Sequence, residues 1–374
     1  MSVTITRPVR RRPQFHALAV AEITPLVDDA VAIGFDVPPD LREQFAFRAG
    51  QHLTVRRIVD GEDIRRSYSI CSTPDELERT GRVRIGVKAV PGGSFSAYVM
   101  SELQAGQSID VLPPLGHFTT VFDPARTRHY AAVAAGSGIT PVLSLISTGL
   151  ATEPQSRFTL IFGNRYARSV MFAEELADLK DRYPARLHVI HVLSRELQDA
   201  ALLSGRVDAD KFRRIIGASG LVDADDVHEW FLCGPYGMVV DVRAALADHG
   251  VADVAVHTEL FHVADAATPP PTPTSAEAGP TAGETEVTVM LDGRASTFTM
   301  PRDGRVLDNA LKVRAELPFA CKGGVCSTCR AKVIEGHVEM ARNYALEPDE
   351  LAAGYVLTCQ SSPTTDTLTV DYDA

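Results

Sequence analysis

One stretch of this chain rules out a single folded body. Residues 264–286 read ADAATPPPTPTSAEAGPTAGETE, with Pro269, Pro270, Pro271, Pro273 and Pro280 and no aromatic side chain. Such a segment buries too little apolar surface to offset the entropy of ordering it, and its prolines favour an extended backbone. It is expected to be a linker over 264–285, semi-extended at the prolines and looser after Ser275. The stretches of chain on its two sides must each fold on a separate core. With 374 residues, 45% of them hydrophobic, the chain has material for two or three such cores.

Composition narrows the function classes. A net charge of −11 argues against a nucleic-acid footprint and against docking on an anionic membrane. No apolar run approaches the roughly 18 residues that a bilayer span needs. Arg7, Arg10, Arg11 and Arg12 lie near the start with no apolar segment of signal type behind them, which reads as a short tail of a cytoplasmic protein.

The six cysteines are unevenly placed. Cys71 and Cys233 stand alone, whereas Cys321, Cys326, Cys329 and Cys359 crowd the C-terminal end. A secreted disulfide scaffold would be much smaller and would spread its cysteines. Four clustered thiols point instead to a metal site. The spacing Cys321-x4-Cys326-x2-Cys329, with Cys359 following after 29 residues, is the plant-type spacing for a [2Fe–2S] cluster. A structural zinc site is the alternative, but zinc motifs usually pair two short clusters. Gly323 and Gly324 would let the loop curl and aim backbone N–H groups at the sulfurs.

The rhythm of the chain changes twice. Up to about residue 122 it shows short β-like runs such as LTVRRI, RSYSI, VRIGVKAV and SIDVLP, and one short helical pattern near 94–102. An antiparallel barrel is expected, assigned to 1–124. From His129 strands and helices alternate: YAAVAA, FTLIFG, MFAEELADLKDRY, LHVIHVL, EWFLCG, a helix from Gly237, and VAVHTEL. That order implies an α/β domain with a parallel sheet, assigned to 125–263. From 286 to 374 a small α+β domain is expected. It opens with VTVML and STFTM joined at Asp292-Gly293, continues with a helix over 306–314, and closes with LTVDY.

Several short motifs bear on chemistry. In Arg66-Ser67-Tyr68-Ser69 a strand would put Arg66 and Tyr68 on one face, where a guanidinium suits a pyrophosphate and an aromatic ring suits a flavin. Gly92-Gly93-Ser94-Phe95-Ser96 opens a helix, whose first N–H groups bind phosphate readily. Gly136-Ser137-Gly138-Ile139-Thr140-Pro141 joins a strand to a helix, with proline where the dinucleotide fingerprint has its third glycine. The segment 163–169 offers Arg165 and Arg168 but no acidic residue, which favours a 2′-phosphate and hence NADPH over NADH. Cys233-Gly234-Pro235 ends a strand, and Glu259-Leu260-Phe261 closes the region. The histidines form no ligand-spaced set, and Cys71 reads as a small buried hydrophobe.

Together these motifs resemble the R-x-Y-S, G-G-x-x-S and G-x-G-I-T-P signatures of the ferredoxin–NADP reductase superfamily. The resemblance implies FAD as cofactor, with FMN as the alternative used by some relatives. It implies that Arg66, Gly92, Gly93 and Ser96 serve the flavin phosphates, that Tyr68 stacks on the flavin and that Ser69 reaches its N5. It places Gly136, Gly138, Thr140, Pro141, Gly234 and Pro235 at the nicotinamide nucleotide, Cys233 beside the nicotinamide, and Glu259 and Phe261 near the flavin. The order barrel, nucleotide domain, linker and β-grasp ferredoxin domain resembles the reductase components of bacterial oxygenases. The run NYALEPDELAAGYVLTCQ resembles in particular the reductase subunits of phenylacetyl-CoA epoxidases. Electrons are then expected to pass from NADPH to FAD, to the cluster, and to a di-iron oxygenase partner. Another oxygenase as customer (steroid, alkane or Rieske) and a zinc-stabilised binding protein are the rival readings.

Overall fold

The computed structural model describes residues 14–59, 61–217, 221–261 and 283–374. The basic N-terminal residues and most of the expected linker lie outside these. The described residues from His16 to Phe261 form one compact unit, and those of 283–374 belong to another.

The first unit begins as an antiparallel barrel of β1 (His16–Val27), β2 (Ala30–Asp36), β3 (His52–Val59), β4 (Glu62–Ser69), β5 (Arg82–Lys88) and β6 (Ser108–Leu115). Their order is β4-β3-β6-β1-β2-β5, and a bridge between Ile70 and Ile85 joins the two ends. Alternation drives the closure. Val83, Ile85 and Val87 of β5, Leu53 and Val55 of β3 and Val111 of β6 are fully buried and fill the interior. Two short helices complete it. One, α2 (Ser94–Ser101), falls where the sequence places it. The other, α1 (Pro74–Thr80), is absent from the sequence-based expectation, yet it is locally encoded. The Thr73 side chain accepts from the Glu76 N–H at 3.1 Å, Pro74 occupies the first turn, and Gly81 stops the helix.

The second half of this unit is a five-stranded parallel sheet of β7 (His129–Ala135), β8 (Arg157–Asn164), β9 (Leu187–Leu193), β10 (Glu229–Cys233) and β11 (Val256–Glu259), ordered β11-β10-β7-β8-β9. The crossovers are α3 (Ile139–Thr152), α4 (Ala173–Arg182), α5 (Ala209–Ile216) and α6 (Tyr236–Asp248). Helix α5 is also outside the sequence-based expectation. Asp208 caps it by accepting from the Lys211 N–H at 2.8 Å. The strand order reverses between β7 and β10, so a crevice opens at their carboxyl ends.

The two halves share a core. Ala30, Ala32, Cys71 and Phe118 from the barrel side pack among Leu143, Ile146 and Phe231 of the sheet layer. The Ser144 hydroxyl donates to the Ser72 carbonyl at 2.7 Å, and the Arg84 guanidinium takes both oxygens of Glu175 at 3.1 and 2.9 Å.

The C-terminal unit is a sheet of β12 (Glu284–Leu291), β13 (Arg294–Pro301), β14 (Arg330–Glu335), β16 (Tyr355–Leu357) and β18 (Thr367–Asp371), ordered β13-β12-β18-β14-β16. A small pair, β15 (Val338–Met340) and β17 (Ser361–Pro363), and the helices α7 (Val306–Ala310) and α8 (Pro348–Ala352) accompany it. Strand β12 pairs parallel with β18 and antiparallel with β13. The β12–β13 hairpin turns at Asp292 (φ 54°) and Gly293 (φ 69°), the geometry an Asp-Gly pair favours. Glu284 and Thr285, assigned to the linker, are the first residues of β12. Helix α7 is shorter than the expected 306–314, and the chain continues past it in turns that bond Leu311 to Leu307 and Arg314 to Ala310. Among the described residues, no helix is long and apolar enough to cross a membrane.

Gly138 locks the crevice. A Cβ built there would lie 2.1 Å from the Cys233 carbonyl oxygen, although its backbone is ordinary right-handed helix. The obstruction is therefore steric. Gly138→Ala is expected to cost about 1–3 kcal/mol of stability through overpacking. Trp230, the one tryptophan of the chain, is fully buried on β10 and reports on this unit alone. Its fluorescence transition in a urea titration should move to lower concentration, and an unchanged midpoint would refute the steric account.

Candidate active site and cluster loop

Strand β4 carries Arg66, Tyr68 and Ser69 into position. Facing positions on β3 are Val55 for Arg66, Leu53 for Tyr68 and His52 for Ser69. Arg66 is exposed, and its Nη1 donates to the Arg65 carbonyl at 2.7 Å. Tyr68 is half-buried against the barrel core, with its ring centroid 5.7 Å from Phe95 in the first turn of α2. Burial pushes its phenol up to about 12 against the pull of Arg66. Gly92 has φ 74°, and Ser96 shapes the glycine loop from inside by donating to the Gly93 carbonyl at 3.1 Å and accepting from the Val90 N–H at 3.2 Å. The hydroxyl of Ser96 is thus occupied by the loop, and the backbone at the start of α2 is what the loop presents.

Ser69 is buried and donates to Glu259 Oε2 at 2.8 Å, joining the barrel to the end of β11. Glu259 stands in register with Cys233 on β10. Desolvation raises the Glu259 carboxyl to about 7, with Ser69 pulling the other way. Burial, with the neighbouring Glu259 carboxylate, holds the Cys233 thiol well above its ordinary range. The structure adds a residue the sequence did not suggest. His52 Nδ1 lies 3.9 Å from Glu259 Oε1, and desolvation, with His117 nearby, lowers the imidazole to about 4. A lone histidine on a strand gives no sequence signal, because its partner is roughly 200 residues away along the chain. Phe261, the last described residue before the linker, is 38% exposed.

At the sheet crevice Gly136 takes φ 55° and Gly138 packs on the Cys233 carbonyl, so the loops after β7 and β10 touch. The Thr140 hydroxyl donates to the Ser137 carbonyl at 3.0 Å, and Thr140 and Pro141 are buried at the start of α3. Both shape the loop rather than face outward. Gly234 follows Cys233, and Pro235 precedes the first residue of α6. Arg165 and Arg168 are exposed beyond the end of β8, with the Arg168 guanidinium 5.3 Å from the Tyr166 ring centre. The segment itself has no acid, but the fold supplies one. The Arg195 N–H donates to the Arg165 carbonyl at 2.9 Å, and Glu196 Oε2 accepts from the Ala167 N–H at 2.9 Å.

In the C-terminal unit Cys326, Cys329 and Cys359 are buried and Cys321 is half-buried. The cysteines fall into two neighbouring pairs, Cys321 with Cys326 and Cys329 with Cys359, and the Cys321 N–H points to the Cys326 sulfur at 3.5 Å. The neighbouring Cys326, aided by N–H groups of the loop, holds the Cys321 thiol below its ordinary range. The Gly323 N–H lies 3.3 Å from the Cys321 sulfur. Among the described residues no three metal-ligating side chains close around one ion. Four sulfurs from the Cys321–Cys329 loop and the segment of Cys359 supply the all-thiolate donor set that a [2Fe–2S] centre takes, so the residues fit that group.

Three family models match successive parts of the chain: the oxidoreductase FAD-binding domain over 17–120, the oxidoreductase NAD-binding domain over 132–244 and the 2Fe-2S iron-sulfur cluster binding domain over 289–364. The chain is 45% identical to a subunit of the 1,2-phenylacetyl-CoA epoxidase of Escherichia coli (strain K12), over 96% of this chain and 98% of that one. It is 34% identical to the ferredoxin reductase component of 3-ketosteroid-9-alpha-monooxygenase from Rhodococcus rhodochrous, over 95% and 96%. Its fold matches phthalate dioxygenase reductase with a TM-score of 0.55 at 21% identity, over 96% of this chain and 98% of that chain.

The Glu259 carboxyl gives a pH prediction. Its folded value of about 7 lies above the ordinary 4.5, so its contribution to stability is full below 4.5 and is lost as pH rises through 7. A protonated-carboxyl infrared band should therefore persist to near neutral pH and vanish with a midpoint near 7. Glu259→Gln should abolish that band. Loss of the band by about pH 5 in the wild type would show the carboxyl to be ordinary.

Proposed function

This chain belongs to the reductase components of oxygenase systems, and on that premise we propose that it takes electrons from NADPH through FAD and a [2Fe–2S] cluster to a di-iron epoxidase acting on phenylacetyl-CoA. The reading of the reductase chemistry rests on one observation: β4 of the barrel meets the carboxyl ends of β10 and β11 at the buried Ser69–Glu259 hydrogen bond, beside Cys233. Bound there, a flavin would accept one hydride, and with it two electrons, from the nicotinamide and release the electrons singly to a one-electron centre.

The chain's own residues have distinct tasks in this reading. Arg66, exposed on β4, and the backbone of Gly92 and Gly93 would hold the flavin pyrophosphate. The half-buried Tyr68 would back the ring system, with Phe261 near it. Ser69 presents its hydroxyl at the reacting edge, with its orientation fixed by Glu259 Oε2. Glu259, neutral below about pH 7, is able to hold a proton there. Cys233 walls the nicotinamide as a buried, protonated thiol whose bulk excludes water. Gly136 and Gly138 let the dinucleotide approach the sheet, Thr140 and Pro141 fix the loop, and Gly234 and Pro235 turn the chain away from the site. Cys321, Cys326, Cys329 and Cys359 would hold the cluster through their sulfurs. The domains are then 1–124 for the flavin, 125–263 for the nucleotide, a linker that begins at 264 and ends before Glu284, and 284–374 for the cluster.

The choice of partner is supported by the extent of the likeness to the epoxidase subunit, at 45% against 34% for the ketosteroid reductase. Reconstitution tests it. NADPH, this protein and epoxidase oxygenase subunits should give epoxide from phenylacetyl-CoA. Failure there, with turnover of a ketosteroid oxygenase, would transfer the reading to that second system.

The choice of NADPH is supported by Arg165 and Arg168, which stand exposed and form no ion pair among the described residues, although Glu196 lies close to the same turn. Replacing both arginines by alanine should raise KM for NADPH much more than for NADH. Each charge-assisted bond to a phosphate contributes about 1.5–3 kcal/mol. An unaltered ratio of kcat/KM for the two dinucleotides would reject the assignment.

A further inference from the structure

The cluster loop contains strain that the ligand set alone does not explain. Lys322 and Ser327 both take φ 50°, in the left-handed region that side chains other than glycine avoid, and Gly324 takes φ 79°. Conformations of this kind persist where the surroundings over-determine them. Lys322 is restrained at its side chain, where Nζ reaches Asp308 Oδ1 at 2.9 Å and lies 5.0 Å from the Phe319 ring centre. At its backbone the restraint comes from the side-chain amide of Gln360.

Gln360 follows the fourth cysteine and is 8% exposed. Its backbone is pinned on both sides. The N–H donates to the Leu357 carbonyl at 2.8 Å, while its carbonyl accepts from the Ala341 N–H and from Arg305 Nη1, each at 3.0 Å. The side chain is thereby aimed into the loop. Nε2 lies 2.8 Å from the Lys322 carbonyl, 3.0 Å from the Cys359 carbonyl and 3.6 Å from the Cys359 sulfur, so its two hydrogens serve three acceptors. The stem matters as well. A Cβ on Gly324 would come within 3.1 Å of Gln360 Cγ, so the side chain lies directly against that glycine.

We propose that Gln360 is the brace and tuning residue of the cluster site: its amide ties the segment bearing the fourth cysteine to the loop bearing the first, and its donation to the Cys359 sulfur raises the reduction potential. The inference rests on the [2Fe–2S] reading above. A reduced cluster carries one more negative charge on its irons and sulfurs. A donor aimed at a ligand sulfur stabilises that state more than the oxidised one, so removing the donor shifts the midpoint to more negative values. The carbonyl bond acts through geometry. It holds Lys322 in the left-handed conformation that sets the Gly323 N–H 3.3 Å from the Cys321 sulfur. A single buried amide thus acts on both sulfur pairs, directly on one and through the loop on the other.

The test is a spectroelectrochemical titration of the full-length protein with Gln360→Met, which keeps the length and removes both donors. The cluster midpoint should shift negative and its electron paramagnetic resonance line shape should change, while the flavin midpoint in the same sample stays at the wild-type value. A fully loaded variant with an unmoved cluster midpoint overturns the proposal. If Gln360→Met does not load, the double variant Gln360→Met, Lys322→Gly decides, because glycine takes the left-handed conformation without a brace. Recovered loading with a lowered midpoint supports the proposal. Unrecovered loading, or a wild-type midpoint, rejects it. A wild-type protein lacking [2Fe–2S] absorption would overturn the cluster reading as well, which separates that failure from a failure of the brace alone.

Discussion

The reductase unit is organised around a carboxyl group that water hardly reaches. Glu259 ends β11 with a side chain only 12% exposed, and a carboxylate in such a place is costly unless it is paired or protonated. Its surroundings supply a neutral donor, Ser69, and an imidazole whose burial keeps it neutral. The carboxyl responds by holding its proton to about pH 7. This single contact fixes much else. It sets the barrel strand β4 against the sheet strands β10 and β11, and it brings the R-x-Y-S segment to the crevice where the strand order of the sheet reverses.

The crevice itself depends on backbone contact. The loops after β7 and β10 approach until the Gly138 Cα faces the Cys233 carbonyl, with no room for a methyl group. Close approach of two main chains leaves an opening lined by N–H groups and small residues. Such an opening admits a dinucleotide without steric conflict. Here the proline of Gly-x-Gly-Ile-Thr-Pro has a physical reason. Pro141 sits in the first turn of α3, where its missing N–H deprives the helix of no hydrogen bond, and it is buried.

Much of this was legible in the sequence because it is local. The Cys-x4-Cys-x2-Cys loop, the Asp292-Gly293 hairpin and the strand–helix alternation after His129 each declare themselves within a few residues. Helix α1 is equally local, yet its cap and stop, Thr73 and Gly81, lie among strand-like runs that favour a β reading. The hidden features are long-range. His52 means nothing until Glu259 is folded next to it, and Glu196 means nothing until β9 is laid beside β8. Ser96 is a related case, since a motif names the residue but not the atoms its hydroxyl bonds within the folded loop.

Gln360 shows the same limit at the shortest possible separation. It adjoins Cys359 in the chain, so its proximity to the cluster loop is trivial, but its effect is not local. The backbone it restrains belongs to Lys322, 38 residues earlier. A left-handed lysine has no propensity-based justification, and sequence alone would count it as a misfit. It becomes intelligible only as part of a closed set: Asp308 and Phe319 on the side chain, Gln360 on the carbonyl, and a neighbouring N–H turned to a sulfur. In such a set the strain at one residue is the means by which donors are aimed at thiolates. The conformation of the loop and the electrostatics of the four sulfurs therefore cannot be varied independently.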